Sequence, residues 1–216
     1  ARTGKPSLSA TTLVAPPAEA PPFCDGVLSA DEWPIPEGPL PQSRAGPLIL
    51  AATWTEDTIY IAAGALAFST LSTCTRAQVI LSPLPSPARG LPASARAYSV
   101  ARPERLKPSA LAVGKPVKSG WSFVPVSGKA AKKAGITACL YEGGDGSWHF
   151  PVAEFAIRVP DKLLPLRPGK KLALFLCFFG LPKTAAVRDG IAWPLGHCSG
   201  ASLHNLLLCE HPEAWG

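Results

Sequence analysis

PLILAATWTEDTIYIAAGAL, residues 47–66, decides the fold class. Two apolar runs rich in β-formers, 47–54 and 58–66, flank the polar turn Thr55-Glu56-Asp57, which predicts an antiparallel hairpin. The same pattern recurs on both sides of it. AQVILSP (77–83) and ARAYSVA (95–101) predict a second strand pair, joined by a loop whose prolines preclude ladder pairing. GITACLY (135–141) and SWHFPVAEFAIRV (147–159) flank a glycine-rich turn and predict a third. WSFVPV (121–126) reads as a strand, and KLALFLCFF (171–179), apolar throughout, reads as a central one. GKAAKKAG (128–135) predicts a single helical turn limited by its glycines, and Arg102 to Gly120 reads as basic and irregular. SLHNLLLCEH, near the end, is open between a last strand and a short helix.

About eight or nine short strands without alternating long helices predict an all-β chain, an antiparallel β-sandwich of jelly-roll or immunoglobulin-like kind. Composition agrees: 25 prolines in 216 residues disfavour a helical bundle, since each interior proline removes a helix hydrogen bond. A hydrophobic share of 47% against 17% charged residues suffices for a core. Residues 1–22, ending VAPPAEAPP, predict an extended proline-rich N-terminal arm, residues 23–195 the sandwich with long proline-rich loops, and residues 196–216 a Cys- and His-containing tail packed on it.

The formal net charge of +6 is unevenly spread. Residues 86–133 carry ten Lys and Arg against Glu104 alone, a net of +9. Between Glu19 and Asp57 the balance reverses, with seven acids against Arg44. Such a field orients a partner or draws it to an anionic surface, so 86–133 and the arm 1–22 are the expected contacts within a larger complex. No recognition-module signature accompanies the charge, which argues against nucleic acid. The longest apolar stretch, Leu172 to Leu181, falls short of the roughly 20 residues of a membrane-spanning helix. Peripheral membrane association stays open.

The chain lacks methionine and starts at Ala1, read here as the trace of a removed signal peptide and hence of export, to the periplasm or the cell exterior. Six cysteines, an even number, fit an oxidising compartment. Cys198 and Cys209 are the favoured pair, tethering the tail, while Cys139 and Cys177, on strand-like runs, either bridge or lie buried. Cys24 and Cys74 complete the set of disulfide candidates. The tail cluster His197, Cys198, His204, Cys209 and His211 lacks a usual zinc-finger spacing, and no metal or other cofactor is expected. No GxSxG motif occurs. Glu142, Asp145 and Glu154 read as turn and surface groups, so the chain is not read as an enzyme.

Sugar recognition needs flat apolar platforms with polar groups beside them. Trp121 and Trp193 are the platform candidates, with Arg96 as a contact for sugar hydroxyls.

Four motifs in order carry a resemblance: Asp25-Gly26 followed by Asp31-Glu32-Trp33, then TrpThrGluAspThrIleTyrIleAla from Trp54, then GSWHFPVAEFAIRVP leading to LLPLRPGKKLALFLCFF, and finally Ile191-Ala192-Trp193-Pro194. Over about residues 23–195 the chain resembles family 9 carbohydrate-binding modules and their DOMON-like relatives. The resemblance implies a β-sandwich, core positions for Trp33 and Trp54, and a non-catalytic module that binds a glycan. The family's acidic run after the hairpin is replaced here by Cys74-Thr75-Arg76-Ala77-Gln78-Val79, so the fold carries over and the ligand does not. A related haem-binding sandwich uses Met and His ligands, a pair that a chain without methionine cannot supply. The alternative expectation is an accessory subunit of an envelope or extracellular assembly, with sugar binding lost and an envelope protein as partner.

Overall fold

A computed structural model describes residues 12–35, 42–43, 46–66, 74–83, 93–102, 110–117, 120–144, 149–159, 166–180, 191–193 and 204–208. These form two mostly antiparallel sheets packed face to face, an all-β sandwich.

The expected hairpin consists of β3 (Gly46–Trp54) and β4 (Thr58–Ala65), in register from Leu48↔Ala65 to Trp54↔Ile59. The polar turn between them is anchored rather than loose. Asp57 Oδ2 accepts from Arg158 Nε at 2.7 Å, and the Val159 amide donates to the Asp57 carbonyl. With β2 (Gln42–Ser43), β9 (Ile136–Gly144) and β10 (His149–Arg158), the pair makes a five-stranded sheet in the order β2-β3-β4-β10-β9.

The second sheet has eight strands. Its main path runs through β1 (Thr12–Ala15), β13 (His204–Leu208), β11 (Lys171–Gly180), β5 (Cys74–Ser82), β6 (Arg96–Ala101), β7 (Leu111–Val117) and β8 (Gly120–Val126), with β12 (Ile191–Trp193) paired to β11. β11 is central as expected, and the apolar run explains why. Leu172, Leu174, Leu176 and Phe178 enter the core between the sheets, while Ala173, Phe175 and Cys177 are equally buried on the outer face. A strand apolar on both sides satisfies both.

Several local expectations change. The helical turn is the seven-residue helix α1 (Gly128–Ala134), whose N-cap Ser127 accepts from the Ala130 amide and whose C-cap Gly135 adopts the left-handed conformation at φ 66°. A Cβ on Gly135 would fall 2.6 Å from the Cβ of Arg158. Part of the stretch read as irregular, 102–120, is strand β7, in which Pro116 sits inside the ladder. The open tail segment resolves in favour of a strand, β13.

The described part of the expected arm, from Thr12, is built into the sandwich. β1 pairs in parallel with β13, and Leu13 and Ala15 are fully buried. The chain then crosses to the other sheet, where the Pro16 carbonyl accepts from the Trp54 amide and the Thr53 hydroxyl, and Ala18 N–H donates to the Trp54 carbonyl. Residues 26–35 go on to cover the outer face of the five-stranded sheet. Trp33 packs there on Ala51, Tyr60 and Ala62, while Trp54 lies in the core between the sheets.

Phe155 stands at the middle of the five-stranded sheet, opposite Ile61 and Ala138, with no exposed surface. Phe155→Ala should lower unfolding free energy by about 3–5 kcal/mol. A urea melt with unchanged slope checks this.

Candidate functional site

Two regions carry chemistry. The first is the β7–β8 ribbon, at one edge of the eight-stranded sheet; among the described residues no strand pairs with the outer side of β8. Because the facing sheet is narrower, the core side of the ribbon overhangs. Val113 still packs on the core, but Val124 opposite it is 63% exposed and Val117 is 50% exposed, with Lys115 exposed between them along the strand. Lys129, Lys132 and Lys133 project into solvent from α1, which follows β8 directly. Apolar side chains flanked by cations therefore line an open strand edge.

The backbone of that edge is legible from its prolines. Pro116 is opposite Trp121 and Pro125 is opposite Ala112, two positions of the same alternation. Proline has no N–H to exchange, so these are the non-hydrogen-bonded pairs, and the ladder bonds run through Lys115↔Ser122, Val113↔Val124 and Leu111↔Val126. The outward amide and carbonyl groups of β8 are consequently those of Trp121 and Phe123. Pro125 then offers a carbonyl only.

Trp121 itself is half-buried. Like Phe123, which follows it on the same face of β8, it packs against the apolar cluster on the outer face of the sheet that contains Ile80, Ala97 and Phe175, and its indole N–H is buried with no hydrogen-bond partner. Arg76 lies over the Phe179 ring, 4.1 Å from its centroid. Arg96 does not join this group. Its strand alternates so that Ala97 faces the Trp121 side and Arg96, like Tyr98, the opposite one; its guanidinium donates to the carbonyls of Ala93 and Ala95, both at 2.7 Å. Trp193 pairs through its backbone with Leu176 in β12, and its side chain lies outside the described residues. The structure thus sets Trp121 on the same face as Phe123, its neighbour along β8, and sets Arg96 apart.

The cysteines are dispersed. No disulfide joins any two of Cys24, Cys74, Cys139 and Cys177. Cys74 lies in the core between the sheets, Cys177 on the outer face of the eight-stranded sheet, and Cys139 on the outer face of the other. A Cys139–Cys177 bridge would have to pass through the whole sandwich, so these two are buried thiols and not partners. Cys198, Cys209, His197 and His211 lie outside the described residues, as does the His204 side chain.

The second region is the one that sequence reasoning missed. Glu154, read as a surface group, has no exposed surface. Its Oε2 accepts from the Gly26 amide at 2.7 Å and from the Cys139 thiol at 3.2 Å, while Oε1 is buried without a partner. Burial raises its pKa above the ordinary carboxylate range, and the Gly26 hydrogen bond opposes this only in part. The Asp25-Gly26 turn delivers that amide. Asp25 Oδ1 accepts from the Val27 N–H, and Gly26, at φ 91°, lies so close to β9 that a Cβ would be 2.6 Å from the Cβ of Tyr141. The Cys24 thiol, pushed up to about 12 mainly by burial and then by the charges of Glu154 and Asp25, adjoins the same carboxyl. Among the described residues no group of His, Cys, Asp or Glu is arranged to hold a metal ion. The one signal in sequence was the Asp-Gly pair itself, which implied a turn and not its target.

Two expectations follow. Gly26→Ala should destabilise the fold by about 2 kcal/mol or more, because both the positive φ and the approach of Tyr141 oppose a side chain. A carboxyl group with a raised folded pKa supports the fold fully below the ordinary carboxylate range and withdraws that support as pH rises through the folded value. Wild type should therefore lose stability relative to Glu154→Gln as pH rises through that window, as read by paired urea melts across pH.

No protein-family model matches the chain, and no curated protein sequence matches it.

Proposed function

We propose that the chain is a non-catalytic binding module, exported, that acts as an accessory subunit and docks an extended, acidic segment of a protein partner along the β7–β8 ribbon. The observation that carries this reading is the overhanging edge: exposed Val117 and Val124, Lys115 between them, three lysines on α1, and unpaired backbone groups on β8. An incoming strand would take main-chain bonds from Trp121 and Phe123, and its alternate apolar residues would cover the valines. The lysines would attract its acids and set the on-rate. Export draws its support from the cysteine count alone.

A second reading keeps the resemblance to carbohydrate-binding modules. It is favoured by Trp121 and Phe123 standing side by side on one outer face, with an indole N–H that has no partner. Arg96, held by its own turn, takes no part in it.

Titration calorimetry separates the two. Peptides alternating apolar and acidic residues should bind, more weakly as salt is raised, and binding should fall at least about tenfold in Val124→Lys and in a Lys129, Lys132, Lys133 triple glutamate variant. Absence of peptide binding, together with oligosaccharide binding that Trp121→Ala abolishes, would replace this reading with the second.

A further inference from the structure

We propose that Cys24 and Cys139 are disulfide partners, and that their bond staples the Asp25-Gly26 turn to β9 beside Glu154. The two residues are far apart in sequence but converge on one atom. Glu154 Oε2 is 2.7 Å from the Gly26 nitrogen and 3.2 Å from Cys139 Sγ, which puts that nitrogen within about 6 Å of the sulfur, and Cys24 stands two residues before it. Gly26 is pressed on Tyr141, which shares the outward face of β9 with Cys139. The Cys24 thiol acts electrostatically on the Cys139 thiol and adjoins the backbone of Ala156, the next outward position of β10 after Glu154. No other described cysteine shares this face: Cys74 is between the sheets and Cys177 is on the far side of the molecule.

The surrounding chemistry gives the reaction a defined course. A small disulfide such as oxidised glutathione is the oxidant. The half-buried Cys24 reacts first: its S–H proton is lost, its sulfur attacks the small disulfide, and one glutathione leaves as thiol. Cys139 then attacks the Cys24 sulfur, its proton passing to Glu154 Oε2, its hydrogen-bond acceptor, and on to the second glutathione as that leaves. Two protein thiols and one glutathione disulfide become one protein disulfide and two glutathiones. Burial keeps both thiols protonated at neutral pH, so the exchange is slow while residues 22–35 stay closed over the sheet. The bond, once made, is shielded for the same reason.

The test uses the full chain, purified reduced and equilibrated with a glutathione redox buffer. Non-reducing peptide mapping should show a peptide joining Cys24 to Cys139, and the melting temperature should rise by roughly 10 °C, a gain reversed by dithiothreitol, because the bond closes a long loop of the unfolded chain. Cys24→Ser, a change at a half-exposed site, should abolish both the cross-link and the gain, and Cys177→Ser should leave both intact. Full alkylation of Cys24 and Cys139 after oxidation, or a cross-link from either one to a different cysteine, would overturn the assignment.

Discussion

The amide of Gly26 donates to a carboxyl group that water does not reach, and that contact anchors the middle of the 16–35 segment. A five-stranded sheet whose outer face carries Ala51, Tyr60, Ala62, Ala156 and Glu154 cannot be left facing solvent on its apolar positions, nor covered without a donor for Glu154. The segment meets both demands. Trp33 supplies the apolar cover, and the Asp-Gly turn supplies the donor at a residue whose lack of a Cβ lets the backbone approach Tyr141. The crossing at Pro16 to Ala18 then ties the start of this cover to the end of β3, so that one stretch of chain closes the side of the sandwich and roofs one of its sheets.

Local pattern carried far in this chain. The pairs β3–β4, β5–β6 and β9–β10, the central place of β11 and the helix at Gly128–Ala134 are all visible in alternation, turn residues and apolar runs, because each depends on neighbours in sequence. What failed to show depended on remote partners. Glu154 sits in an alternating strand where polar residues ordinarily face water, and the segment that buries it is 128 residues away. β7 was hidden by Pro116, which reads as a breaker until the register shows it at a position that needs no N–H.

The same missing strand explains the misplaced Arg96. A sugar site needs Trp121 and the arginine on one face, and which face each occupies follows from the parity of β6, β7 and β8 together. Without β7 that parity cannot be counted. With it, Trp121 turns outward beside Phe123 while Arg96 turns the other way and caps its own turn. The described lysines of the basic segment are exposed on the overhang and on the helix next to it.

The overhang has a kinetic side as well. Pro125 interrupts the outward row of β8, so among the described residues a strand that met this edge would find complete donor and acceptor sets at Trp121 and Phe123 alone. A seam that short would hold a guest by few bonds and release it quickly, and it gives stray strands no template along which to grow. On the proposed reading the edge would act as a clasp that opens readily, at the end of the sheet opposite the chain's own first strand.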